Sequence, residues 1–277
     1  MPLIVFAIVM FAALLHASWN AIVKSGGDKF LTTIMVTASA SGLSAALLPF
    51  LTTPAPASWP YAAASAVLQI VYFLLIARTY QVADMSQTYP LMRGAAPLIV
   101  ALVSVSQMGV VLTPIAWTGV LAICLGIFSI ALGNRLKERK GVYLALVNAV
   151  VIAGYTLIDG VGVRRSGAPA AYTLWVFLLT GLPLTLWAIS TRRVEFSSYF
   201  RRHWRLGLAG GVGTTASYGL ALWAMTVAPV AIVAAMRETS ILFGTLIAAL
   251  VLREPVGPRR VISACIIACG AAILRLA

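Results

Sequence analysis

Residues 229–251 read PVAIVAAMRETSILFGTLIAALV, an apolar run with an arginine and a glutamate, Arg237 and Glu238, near its centre. As a helix rising 1.5 Å per residue, a run of this length spans the ~30 Å of a bilayer's hydrocarbon. A carboxylate at that depth costs several kcal/mol, roughly 2.5–3.5 on insertion scales. A chain that keeps one there generally gives it a polar cavity to face. Asp159 sits the same way inside a second apolar run, and the two are among only seven acidic residues in 277. Together they point away from a passive anchor and toward a molecule that moves something through a membrane.

Working outward, the whole chain is 61% hydrophobic and 10% charged, whereas soluble domains carry about 25% charge. Pro, Gly and charge punctuation divides it into ten apolar stretches, at 3–23, 31–51, 60–80, 85–107, 114–133, 142–163, 170–190, 206–225, 229–251 and 257–276. The expected fold is an all-α membrane protein of ten transmembrane helices. The loops are short, so successive helices should be antiparallel neighbours. The longest, Thr191 to Arg205, is amphipathic and basic. Glycines such as Gly207, Gly210, Gly211, Gly213 and Gly219 permit close helix approach. Pro90 and Pro97 in span 4 and Pro183 in span 7 mark expected breaks or kinks. The first apolar run lacks a basic n-region and is expected to be retained.

The net charge of +13 does not imply nucleic acid, because the basic residues sit in loops between spans, where they orient the helices. Fifteen of the 20 lie on the side of loops 1–2, 3–4, 5–6, 7–8 and 9–10; Arg164, Arg165 and Arg275 lie opposite, and Arg93 and Arg237 lie within spans. The positive-inside rule therefore places both termini away from the cytoplasm. The bias also reverses sign between spans 1–5 and spans 6–10. A five-helix repeat must insert upside down the second time, so the expected organisation is two inverted repeats, 1–133 and 142–277, joined by a basic cytoplasmic linker at 134–141. A local echo agrees: Pro90-Leu91-Met92-Arg93 near the start of span 4 answers Ala234-Ala235-Met236-Arg237 in span 9, preceded by Val82-Ala83 and Val227-Ala228.

Catalysis finds no support. His-Glu-x-x-His, a Gly-x-Ser-x-Gly elbow and paired acid–histidine sets are all missing from the sequence. No Cys/His cluster has metal-ligand spacing, and Cys124, Cys265 and Cys269 read as small packing residues. No enzyme, cofactor or metal is expected.

The residues do resemble a family. Trp19-Asn20 with Lys24 closing span 1, Tyr89-Pro90-Leu91-Met92-Arg93-Gly94 with Pro97, Met236-Arg237-Glu238, and Leu252-Arg253-Glu254-Pro255 occur in the order and spacing of the drug/metabolite transporter superfamily, EamA-type branch. The family's glutamate at the end of span 4 is replaced by Gln107-Met108-Gly109. The resemblance implies a ten-helix carrier in a bacterial inner membrane, with a central cavity lined by spans 1, 3, 4, 6, 8 and 9. It implies export of amino acids or similar metabolites. It also implies cytoplasmic termini, against the charge count.

Within that frame His16, Trp19 and Asn20 share one face of span 1. They join Tyr89, Arg93, Tyr155, Tyr218 and Trp223 as candidate substrate-binding residues, aromatic walls and convergent polar groups suiting a bulky amino acid. Asp159, Arg237 and Glu238 are candidate gating or ion-pair residues, Arg237 having Glu238 and Asp159 as its expected partners. Arg93 has no evident intramembrane acid except Asp84, so it is expected to meet substrate. Arg93 and Arg237 should straddle the midplane at similar depth. Either carboxylate could instead carry a proton. The reading is a secondary transporter of small metabolites, most simply amino acids, working by alternating access as a monomer or weak homodimer in the lipid bilayer. A translocator of lipids or phosphorylated metabolites is the alternative, with a channel ranking below both for want of a selectivity filter.

Overall fold

The computed structural model describes residues 1–83, 85–132, 139–251, 253 and 257–277. Asp84, most of the expected linker and three residues of the Leu252–Pro255 motif lie outside the described residues. The chain runs α1 (Leu3–Ser25), α2 (Lys29–Leu47), α3 (Trp59–Val82), α4 (Met85–Met108), α5 (Pro114–Leu132), α6 (Arg139–Ser166), α7 (Pro169–Val227), α8 (Val230–Arg237), α9 (Ser240–Leu250) and α10 (Pro258–Leu276). Among the described residues there is no strand. Seven helical stretches there are long and apolar enough to cross a membrane, with Pro114–Ile130 a shorter apolar one.

Two helices depart from expectation. At 59 residues, α7 would be about 90 Å long if straight, three times the hydrocarbon thickness. It bends where Arg192 (φ −138°, ψ 42°) and His203 (φ −121°, ψ 15°) leave helical geometry. The expected loop Thr191–Arg205 is thus mostly a short helix between two kinks. Its amphipathicity is the cause: Phe196, Tyr199 and Phe200 pack with Leu31, Ile34 and Met35 of α2, and the Tyr199 and Thr32 hydroxyls meet at 2.6 Å. Its basic residues Arg193, Arg201 and Arg202 stay exposed.

The second departure is in the stretch 229–251. It is interrupted at Glu238–Thr239, where backbone bonds shorten to i→i−3: Glu238 N–H to Ala235 O and Thr239 N–H to Met236 O, both 3.1 Å. Such a tight turn inside a helix often marks a functional hinge. The prolines, by contrast, break nothing: Pro90 and Pro97 lie inside α4 and Pro183 inside α7.

The long contacts join α2 to α7, α5 to α10, α3 to α6, α4 to α6, and α1 to α7 and α9. Two rest on glycine. A Cβ at Gly211 would come within 2.8 Å of the Ala40 backbone nitrogen, and one at Gly270 within 2.9 Å of the Gly119 carbonyl oxygen. Without a hydrophobic drive between helices in lipid, such backbone proximity is what dispersion and packing need. Cys124 is buried, but Cys265 and Cys269 are exposed; α10 turns Ser263, Ile267 and Gly270 inward, so the two thiols face outward rather than filling the packing as expected.

Helix ends carry a further pattern. Ala83 closes α3 in extended geometry (φ −153°, ψ 155°) and Ala228 closes α7 likewise (φ −136°, ψ 159°). Each donates its N–H to the carbonyl four residues back, Thr79 and Ala224, at 3.0 and 2.9 Å. Arg164 caps the end of α7, donating to the Met225 and Ala228 carbonyls at 2.7 and 2.8 Å, where a cation also suits the helix dipole.

Candidate functional site

Helix α8 is buried at every position from Val230 to Arg237, which brings its polar end, and the turn after it, into the protein's centre against α4. Met92 and Met236 are both fully enclosed, and the arginine following each lines one small cavity together with Tyr155, Thr156 and Glu238. Its volume is about 10 Å³, at the threshold for a single water. The helices are closed around their ionised groups. A second cavity of about 220 Å³, between the termini and the α7–α8 junction, has no ionisable side chain in its lining.

The ion pairing corrects the sequence reading. Glu238 engages Arg93, not Arg237, with Nε to Oε2 at 3.0 Å. Residues 237 and 238 are neighbours on one backbone and diverge by about 100° around the helix, so they cannot face each other. Arg93 therefore has an acid partner after all. Its side chain is 6% exposed and that of Glu238 5%. The approach is close, yet neither atom is aligned for a hydrogen bond; the contact is an ion pair in low dielectric.

Arg93 also reaches across to α1, its NH2 group lying 3.1 Å from His16 Nε2, and its guanidinium lies 5.9 Å from the Tyr89 ring centre. Trp19 Nε1 approaches the other nitrogen of His16, Nδ1, at 3.3 Å. Arginine and tryptophan only donate, and a neutral imidazole offers one acceptor. The two therefore compete for it, and the charge-assisted bond from Arg93 is the stronger. Asn20 turns back to its own helix, donating to the His16 carbonyl at 2.7 Å, and Trp223 packs at the edge of the core without reaching the cavity.

Asp159, fully buried, forms a second cluster that the sequence only half revealed. It accepts from Ser65 at 2.8 Å, from Tyr172 at 2.9 Å and from the Tyr218 hydroxyl. Gln69 donates to Ser65 at 3.2 Å. Four segments meet there: α3, α6 and both ends of α7. Arg237 stacks over the Tyr218 ring, 4.9 Å from its centre, which links the clusters. Arg237 is 9% exposed, and the ion pairs between described residues are Arg93–Glu238 and Arg192–Glu195, so its charge has no carboxylate in direct contact. Ser65 and Gln69, at i and i+4 in an apolar span, were the missed signal; Tyr172 had none, since an aromatic near a helix start reads as an interfacial residue.

Among the described residues no group of three or more His, Cys, Asp or Glu could hold a metal. What this arrangement can do is present fixed opposite charges, lined by aromatic rings, at the junction of α1, α4, α6 and α8. Residues 139–276 match the EamA-like transporter family. The chain belongs to that family. Family membership makes it a multi-pass membrane transporter of the drug/metabolite transporter type. A crystal structure superimposes with a TM-score of 0.76 at 18% identity, over 99% of this chain and 96% of that one; at that identity the likeness shows the fold alone. No curated protein matches the sequence significantly.

Proposed function

We propose that this EamA-family chain is a secondary carrier that exports amino acids or closely related metabolites across a bacterial inner membrane by alternating access. The observation that carries the reading is the closed central cavity, where Arg93, Arg237 and Glu238 meet among aromatic side chains. Buried opposite charges of this kind recognise a solute with charged ends, and the flanking rings of Tyr155 and Tyr89 suit an apolar side chain.

Alternating access would come from two inverted five-helix repeats. In their support, Val82-Ala83 and Val227-Ala228 close their helices with the same cap, and the Met-Arg pairs that follow are both buried. Contacts also exchange as a two-fold axis requires. The α3–α6 contact is answered by α1 against the second part of α7, where Ser217 donates to the Ala12 carbonyl at 2.7 Å; α4–α6 is answered by α1 with α8 and α9. The charge distribution keeps both termini on the non-cytoplasmic side, the more so because Arg164 is engaged as a cap. Because the cavity is near 10 Å³, substrate entry requires the halves to part.

The test is counterflow of labelled amino acids, small and aromatic, into liposomes holding the purified protein. Saturable, self-competed exchange is expected. Folded protein that exchanges none of them, but moves phosphorylated metabolites or lipid, overturns the reading.

A further inference from the structure

Two charged groups on consecutive residues line the central cavity beside Arg93, whose Nε likewise makes no hydrogen bond. Arg237 is nine-tenths buried and lines the cavity, with a ring on one side and, among the described residues, no carboxylate in direct contact. Glu238 Oε2 is buried without a hydrogen bond, held only by the misaligned approach of Arg93. Both belong to the tight turn between α8 and α9, where Glu238 and Thr239 bond three residues back rather than four. A donor fork and a carboxylate oxygen held by ion pairing alone thus border one space.

We propose that Arg237 and Glu238 are the two poles of a zwitterion site: Arg237 receives the substrate's carboxylate and Glu238 its ammonium. This rests on the carrier reading above and assigns the site within it. It also exchanges the roles that the sequence suggested, making Arg93 the counter-charge that holds Glu238 in place until an ammonium takes part of its position.

Formal charge selects the ligand class. Arg93 and Arg237 are balanced by Glu238 and Asp159, the last joined to the Arg237 face through the Tyr218 hydroxyl. A ligand neutral overall but charged at both ends adds no net charge to this buried set. A simple carboxylate would leave one negative charge uncompensated, and a simple amine one positive charge, each costly in low dielectric. Arginine suits the carboxylate pole because its planar fork can donate two parallel bonds. Glutamate suits the ammonium because it only accepts. The neighbouring Tyr155 and Tyr89 leave the side chain of an aromatic or branched amino acid an apolar wall.

The experiment uses the reconstituted protein with labelled phenylalanine, leucine and alanine as probes. Competitors are unlabelled phenylalanine, 3-phenylpropionate, which lacks the ammonium, and 2-phenylethylamine, which lacks the carboxylate. In the wild type both truncated compounds should compete about 10- to 100-fold worse than phenylalanine, the range of one lost charge-assisted bond. Arg237→Gln should raise the half-saturating phenylalanine concentration by a similar factor and abolish the preference over 2-phenylethylamine. Glu238→Gln should abolish the preference over 3-phenylpropionate, and Arg237→Lys, which keeps charge without the fork, should fall between. A merely structural role would lower the amount of active protein and leave these preferences intact. Unchanged preferences in folded variants overturn the site while the carrier reading stands. If the variants do not fold, the wild-type competition decides: 3-phenylpropionate or 2-phenylethylamine competing as well as phenylalanine overturns the proposal. A folded wild type that exchanges none of the three probes removes the amino-acid reading and this site with it.

Discussion

Replacing Glu238 by alanine should destabilise the protein by about 3 kcal/mol, through Arg93 rather than through lost packing. The value follows from the surroundings of the pair. Arg93 is 5% exposed and Glu238 4%, so neither can turn to water, and removing one partner of a buried pair costs roughly 3–5 kcal/mol. The low end applies because Arg93 keeps His16 at 3.1 Å and the Tyr89 ring at 5.9 Å. For a chain of this size about 3 kcal/mol lowers the melting temperature by roughly 6–12 °C, readable by thermal unfolding of the detergent-solubilised protein. The decisive comparison is a double-mutant cycle. Arg93→Met with Glu238→Met removes both charges and should recover at least half of the loss, because an apolar pair of similar volume often matches a buried ion pair. The swap of Arg93→Glu with Glu238→Arg should also recover part of the loss, since the Nε2–H tautomer of His16 can donate to a carboxylate at 93 while its Nδ1 accepts from Trp19. Purely additive effects across the cycle would refute the pairing.

Other outcomes follow from the same contacts. Asp159→Asn should cost about 2 kcal/mol, because one of three hydroxyl donors must then face an amide N–H instead of an oxygen; Tyr172→Phe alone should cost less, and equal melting of Asp159→Asn and wild type would contradict the cluster. Gly211→Ala should impair folding, because its Cβ would meet the Ala40 nitrogen at 2.8 Å, whereas Gly213→Ala, with 3.4 Å to its nearest neighbour, should be tolerated; the yield of monodisperse protein distinguishes them. Arg164→Ala should cost about 2 kcal/mol by freeing the carbonyls of Met225 and Ala228, and a melting temperature within one degree of wild type would remove its capping role. In a background lacking the exposed Cys265 and Cys269, Ser198→Cys should be labelled from the cytoplasmic side and Ala277→Cys from the other; the reverse would overturn the orientation.

Most of the helical layout was legible because lipid imposes a one-dimensional rule. Backbone groups in hydrocarbon must bond within their own segment, so apolar run length alone reports a helix, as at α1, α3 and α6. The rule fails where a residue's environment is protein rather than lipid. Pro90, Pro97 and Pro183 signalled breaks by local chemistry, yet α4 and α7 run through them because neighbouring turns and helices can satisfy the freed groups. The real interruption, at Glu238–Thr239, falls where four consecutive polar residues, Arg237 to Ser240, cross a buried span. The Thr191–Arg205 stretch was marked by its amphipathicity, but the surface its rings would cover belongs to α2, far away in the chain.

The same division holds for the site. That Arg93, Asp159, Arg237 and Glu238 are special follows from composition, since a charge in an apolar span carries a solvation cost whatever the fold. Which charge meets which was outside the reach of sequence. Spacing ranked Glu238 beside Arg237 because they are adjacent in the chain, while helix geometry turns them apart and the crossing of α4 with α8 delivers Arg93 instead. Likewise Ser65, Tyr172 and Tyr218 come from three separate segments to one carboxylate, and only their packing makes them partners. Hydrophobicity and charge along the chain are sums over single residues and can be read in order. Pairing depends on directions and distances between segments remote in sequence, which exist only once the helices have packed.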